Sequence, residues 1–391
     1  MSGKLETRNR TLETDVIDVL IAGCGPAGAL AATILARAGA RVMVVDRATF
    51  PRPKLCGDTL NPGALAVLHR LGLGVATGAS VSLDGWIVTG EDGVRVEGRY
   101  DGVRGRGISR SSFDAALMMA AAGAGARIEE GVLVQGPLVD TSNHQPTVTG
   151  LTISGRQGKS LELRSRVVIA ADGRYSRVAR ALGLSRAATW PRRWAIGAYF
   201  EGISGMTAFG EMHVRSNHYM GIAPLVHGLT NACVVTPTPG GRLPADCMTT
   251  MLRGDPLLGE RFAGARMVTA PMCLGPLAVD ARAAGAPGLL LAGDAAGFVD
   301  PITGDGLRFA LRGSELAACE ALRALESGFD GAHVKLFEAR RREFAAKWRF
   351  NRTVRWIVTY PAAVRAARYS AAILPQLLRH AIRYAGDVHP A

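Results

Sequence analysis

Aromatic side chains are scarce in this 391-residue chain: Phe, Trp and Tyr together make up 6%. Acids are short as well, with 33 Asp and Glu against 46 Lys and Arg, a formal net charge of +13. The six cysteines, at 24, 56, 233, 247, 273 and 319, are widely spaced and form no Cys-x-x-Cys pair. That argues against a zinc site or a disulfide framework and fits a reducing, cytoplasmic setting. No uncharged apolar run is long enough to span a bilayer. The first fifteen residues, MSGKLETRNRTLETD, lack the apolar core of a secretory signal. Basic residues are not interleaved with aromatics, so nucleic acid is not an expected partner. The surplus positive charge suits a solvated surface, an anionic cofactor or substrate, or an anionic membrane.

What the chain does have is glycine placed after apolar runs. VIDVLIA (Val16 to Ala22) has strand length; GCGPAG and an alanine-rich helix pattern follow, and RVMVVD (Arg41 to Asp46) is a second strand. This is a βαβ unit with a Gly23-x-Gly25-x-x-Gly28 turn and Asp46 at the end of the second strand. The first glycine permits the tight turn, the second lets a pyrophosphate approach, and the third lets helix and strand pack closely. The start of the helix supplies unpaired N–H groups to the phosphates, and Asp46 is placed to accept from ribose hydroxyls. Dinucleotide binding is therefore expected.

Further along, 81–105 and 186–269 read as β-rich insertions, and Ser109 to Ala126 reads as a helix capped by Ser111 or Ser112. VVIAADG ends a strand at Asp172-Gly173, and LLLAGDAAGFVDPITGDGL ends one at Gly293-Asp294. The expected organisation is α/β: a discontinuous dinucleotide-binding unit from 14–80, 106–185 and 270–330, interleaved with the β-rich insertions, and a helical segment at 331–391. No second Gly-x-Gly-x-x-Gly follows a strand; GVRGRG (Gly102 to Gly107) lacks one, so no separate nicotinamide domain is expected. His213 and His218 are five apart on strands and point to opposite faces, and His227 stands alone, so no metal site is expected. Trp86 and Trp194 are read as core or as pocket lining.

In this order (GxGxxG, then Asp-Gly, then Gly-Asp) the chain resembles the superfamily of FAD-dependent hydroxylases and geranylgeranyl reductases. The basic segment with a Cys-Gly pair, FPRPKLCGDTL, the run GDAAGFVDP and Arg180 resemble its geranylgeranyl-reductase-like branch. The resemblance implies a Rossmann-type FAD domain with a β-rich substrate domain and a helical tail. It implies that Gly23, Gly25, Pro26, Ala27 and Gly28 hold the FAD pyrophosphate and that Asp46 and Arg47 lie at the adenosine. Asp172 and Gly173 would stand near the pyrophosphate and the path of NADPH or NADH, the transient electron donor. Gly293 and Asp294 would fix the ribityl chain. Pro301, Gly304, Asp305, Gly306 and Leu307 would pass under the flavin ring, with Leu307 opening a helix toward its N1/C2=O edge. Cys56, Gly57 and Arg110 would also lie close to FAD, and Arg52 and Lys54 would meet a phosphate or a nicotinamide nucleotide.

The candidate catalytic positions are Cys56, Tyr219, Thr303 and Gly304. Cys56 is either a gate or donor beside the flavin or an inert buried thiol; Tyr219 is either a proton donor or structural. The branch resembles itself in an aromatic YxWxFP-type segment, whose nearest match here is YMGIAP, Tyr219 to Pro224. Gly221 and Ala223 replace bulky aromatics and widen the pocket. No WxWxIP segment is present, so a halogenase is not expected. The preferred reading is an NAD(P)H-using monooxygenase of an apolar aromatic or polyketide-like molecule. The alternatives are an FAD-dependent reductase of C=C bonds in an isoprenoid or other lipophilic substrate, and a non-catalytic flavin-binding protein. The tail from Val354 to Tyr384 mixes apolar and basic residues at helical spacing. It is read as helices packed on the FAD domain or as a basic peripheral contact with a membrane.

Overall fold

The strand Ile17–Ala22 is apolar on both faces except for Asp18, and all six residues are buried. A strand of that kind belongs inside a parallel sheet covered by helices. The computed structural model, which describes residues 17–91, 93–142, 145–154, 160–237 and 246–388, places it there. Val16, the polar N-terminal stretch and residues 238–245 and 389–391 lie outside the described residues.

Five strands of the first, eight-stranded sheet run parallel in the spatial order Leu289–Leu291, Ser160–Ala170, Ile17–Ala22, Val42–Asp46 and Arg127–Glu130. The helix Pro26–Arg37 follows the first strand. Its Pro26 stands at the first turn, where a missing N–H costs nothing. The helix Arg110–Gly123 and the helix Gly306–Ser327 pack on it from the same side of the sheet. Ser109 caps the Arg110 helix, its Oγ accepting from Ser112 N at 3.2 Å. This corrects the expected cap at Ser111 or Ser112: the Arg110–Asp114 pair, one turn apart, draws the helix start upstream.

A second sheet takes both β-rich insertions. Trp194–Glu201, Thr230–Thr236, Tyr219–Pro224, Phe209–Val214, Gly85–Thr89 and Arg95–Arg99 are neighbours in that order. Residues 85–99 therefore join a sheet whose other strands begin only at Trp194. The helix Ala332–Ile357 packs against the Gly306 helix. Of the last two helices, Pro361–Ile373 and Pro375–Ala385, the second meets the expected FAD unit at its C-terminal end, where Asn61 Nδ2 donates to Ala385 O at 3.1 Å and Gly63 N to Gly386 O at 3.1 Å. The Pro375 helix lies on the strand Arg95–Arg99, where Gly98 leaves room for Ile382. A Cβ at Gly98 would stand 2.7 Å from Ile382 Cδ1. Among the described residues no helix is long and apolar enough to cross a membrane. The fold is thus a Rossmann-type α/β unit with a β-rich companion and a helical C-terminal region.

Candidate active site

The Gly-rich turn is built as its spacing demands. Gly23 has φ +93, and a Cβ on it would stand 2.5 Å from Ala171 O. A Cβ on Gly28 would collide with Gly23 O, so Gly28 serves the helix–strand contact. Gly25 differs: a Cβ there would meet only the end of Arg52, at 3.4 Å, so its backbone faces open space. Asp46 closes the turn, accepting from Cys24 N at 2.7 Å and Ala48 N at 2.8 Å.

Two cavities meet at this turn. The outer one, about 590 Å³, is lined by Gly23, Gly25, Asp46, Arg47, Asp172 and Gly173, with Arg52 and Lys54. The inner one, about 170 Å³, lies between the two sheets. Gly25, Pro26, Ala27, Gly173, Gly293 and Asp294 form one wall of it. Pro301, Gly304, Gly306 and Leu307 form its floor, and Cys56, Gly57, Arg110 and Tyr219 the opposite side. The Gly306 helix starts at this floor, and the first amides of a helix have no carbonyl partner within it. Three chain segments separated by more than a hundred residues thus converge on one continuous cleft.

The chemistry of the lining suits FAD. Burial raises the Asp172 carboxyl above its usual range. Asp172 Oδ2 accepts from Arg177 N at 2.9 Å, while Oδ1 is buried without a partner. Arg174 Nη1 is likewise unpartnered. That guanidinium lies over the Phe298 ring at 4.5 Å and reaches Asp294 Oδ2 at 3.4 Å. A dinucleotide with hydroxyls and phosphates would satisfy these orphaned atoms. Lys54, on both cavities, has its amine pushed down to about 8 by burial and by Arg110.

Several side chains carry roles that sequence reasoning missed. Asp114 is buried and takes Arg110 in a two-point pair at 2.7 and 2.8 Å, with Arg52 at 3.2 Å. Its position four residues after Arg110 was a legible signal. Behind the Cys56–Gly57 loop, Asp58 accepts from Tyr199 Oη at 2.6 Å, Asn231 Nδ2 at 2.9 Å and Arg110 N at 3.2 Å. Burial pushes its carboxyl up to about 7. Asn231 Nδ2 also donates to the Cys56 carbonyl at 3.0 Å, and Cys233 Sγ reaches it at 3.2 Å. No local pattern ties Tyr199 or Asn231 to Asp58. Burial raises the Cys56 thiol, so it is neutral and keeps its proton.

Three expectations are corrected. Tyr219 lines the cavity, but its hydroxyl donates to Asp300 Oδ1 at 2.5 Å and is no free donor to a substrate. Asp300, held also by Arg193 at 3.4 Å, caps the turn that follows it by accepting from Ile302 N. Thr303 faces away from the inner cavity, into the apolar cavity considered below. Asp305 does not reach the cleft either. Its carboxylate turns to Asn61 Nδ2 at 3.1 Å and Lys347 Nζ at 3.3 Å, because Lys347 is buried there and needs a counter-charge. His213 sits between Thr89 Oγ1 and Glu211 Oε2, at 2.8 and 2.9 Å. No cluster among the described residues is arranged to hold a metal.

Comparison with known proteins agrees with this geometry. The FAD binding domain family matches residues 16–218. Menaquinone reductase of Mycobacterium tuberculosis is 32% identical over 328 residues, covering 78% of this chain and 76% of that protein. Digeranylgeranylglycerophospholipid reductase 1 of Methanopyrus kandleri is 28% identical over 389 residues, covering 95% and 94%. In fold the chain is similar to a geranylgeranyl bacteriochlorophyll reductase-like protein of Thermoplasma acidophilum, with a TM-score of 0.77 and 21% identity, covering 90% of each chain. It is also similar to the flavin-dependent brominase Bmp2, with a TM-score of 0.80 and 20% identity, covering 95% of this chain and 94% of that one. The chain belongs to the FAD binding domain family, within the hydroxylase and geranylgeranyl-reductase superfamily. It is an FAD-dependent oxidoreductase.

Proposed function

We propose that this enzyme reduces C=C bonds in a lipophilic chain, with NADPH or NADH as the transient donor. The observation that carries the reading is a third cavity, about 470 Å³, behind the turn Pro301–Gly304. Ile302 and Thr303 line it, while Pro301 and Gly304 line the inner cavity, so one turn separates the two. Trp86 and Met212 are walls of both. Most of the rest is apolar, with Val88, Val214, Val354, Ile357 and Leu378; Thr89, Glu91, Thr353 and Arg365 are the polar exceptions. A volume and lining of this kind suit an apolar small molecule. The relatives named as menaquinone and digeranylgeranylglycerophospholipid reductases support the same class of substrate.

FAD, bound and reduced, supplies a hydride. The chain's part is to hold the double bond in the inner cavity, keep water out and deliver a proton to the other carbon. Cys56 fits that last role: its thiol is protonated, lines the cavity, and has the Arg110 guanidinium beside it to steady the thiolate left behind. Solvent returns the proton afterwards, so the substrate gains two hydrogens and the thiol is restored.

The test is anaerobic turnover of a polyprenyl lipid or quinone by the FAD-loaded enzyme, followed by mass spectrometry. Gain of two hydrogens without O₂ supports the reading. A second reading, monooxygenation of an aromatic substrate, is favoured by the room over the inner cavity, where a Cβ on Gly221 would meet only Met212 Cε at 3.7 Å. Product that gains oxygen, and forms only with O₂ present, would put that reading first.

A further inference from the structure

From Phe344 to Gly386 the chain contains no Asp or Glu and eight Lys and Arg. The helices Pro361–Ile373 and Pro375–Ala385 meet within this stretch, and their junction is apolar and exposed. Ile373 is 75% exposed, Leu377 62%, Tyr369 63% and Leu374 54%. Tyr369 and Ile373 are four residues apart on one helix and share a face. Leu374 and Leu377 also line the apolar cavity, so the exposed patch is the mouth of that cavity. Arg365 lines the same cavity with an exposed side chain, and Arg379 is exposed on the Pro375 helix.

We propose that this rim docks on an anionic lipid bilayer and lets a chain pass from the bilayer into the cavity without crossing water. The inference rests on the reading of that cavity as the substrate compartment. Three features on one surface suit a bilayer: apolar side chains at the helix junction, the cations Arg365 and Arg379 near them with Glu91 the one acid on the cavity lining, and a mostly apolar cavity opening between them. A second copy of the chain fits less well. A two-fold contact would press the same cations against themselves.

The experiment is sedimentation of the FAD-loaded full chain with vesicles of phosphatidylcholine alone or with added phosphatidylglycerol, at low and high salt. The comparison protein is the double variant Tyr369→Ser, Ile373→Glu; neither residue lines the cavity, and its melting temperature verifies folding. The native chain is expected to bind the phosphatidylglycerol vesicles, less so at high salt, and the variant to bind about tenfold less. Equal binding by both proteins, or no binding by either, overturns the proposal. So does a native dimer that the variant turns to monomer without vesicle binding, which would make the face a contact between copies. Turnover of a detergent-dispersed substrate separates this claim from the preceding one. Both proteins should reduce it alike. If neither reduces any double bond while only the native chain binds vesicles, docking stands and the reductase reading falls.

Discussion

Gly25 and Gly28 belong to one motif, yet their replacement by alanine should fail in different ways. At Gly28 the added Cβ meets the Gly23 carbonyl, which is backbone and cannot yield. Gly28→Ala should lower the melting temperature of the FAD-free protein. At Gly25 the Cβ meets only the flexible end of Arg52. Gly25→Ala should fold normally but bind FAD about tenfold more weakly, a loss of about 1.4 kcal/mol. Thermal unfolding and flavin fluorescence titration check the pair. Asp58 gives a pH prediction. Its carboxyl is raised in the fold to about 7, from the ordinary 3.8. Between those values the folded state holds a proton that the unfolded chain releases, so this group's contribution to stability is full below 3.8 and declines as pH rises to about 7. Urea midpoints at pH 5 and pH 8 should therefore differ more in the native chain than in Asp58→Asn; an equal difference would contradict the assignment. These residues also mark the limits of reading a sequence. The glycines and strand-end acids were legible because each has a local geometric reason to be there. Asp58 was not, since its partners Tyr199 and Asn231 come from strands more than a hundred residues away.

At the scale of elements, the end of the chain is tied to the start of the Gly306 helix. Lys347 donates to the carbonyls of Tyr384 and Ala385, the latter at 3.0 Å, and pairs with Asp387 at 2.9 Å and Asp305 at 3.3 Å. Asn61 joins the Ala385 carbonyl at 3.1 Å, and Gly63 N donates to Gly386 O at 3.1 Å. The last helix therefore both lines the apolar cavity and braces the start of the Gly306 helix. Replacing Lys347 by Met leaves the buried Asp305 carboxylate, and Asp387 beside it, without their ammonium. That should cost about 3–5 kcal/mol in denaturant unfolding, and Lys347→Arg should recover part of it. An unchanged midpoint in Lys347→Met would show that the brace contributes nothing. The tail was readable as helices from its apolar spacing and its prolines. Its docking on the strand Arg95–Arg99 was not, because Gly98, the residue that makes room, has no sequence context pointing to Ile382.

At the scale of the whole molecule, two sheets and a helical roof divide the interior into a polar cleft and an apolar chamber separated by one turn. The cleft was legible because three strand ends carry glycine and acid in a fixed order. The chamber was not: Val88, Ile302, Val354 and Leu378 each look like ordinary core, and only the fold brings them round an empty space. Because the cleft exists only in the folded chain, FAD at a hundred times its dissociation constant should raise stability by about 2.7 kcal/mol, seen as a concentration-dependent melting temperature. The most direct test of the account is a single-turnover experiment without oxygen, in which the FAD-loaded enzyme is reduced, mixed with an unsaturated polyprenyl lipid, and followed by flavin absorbance and product mass. The account predicts that the flavin colour returns only with lipid present and that the product carries two more hydrogens. Flavin that stays reduced until air is admitted, with oxygen then found in the product, would contradict it.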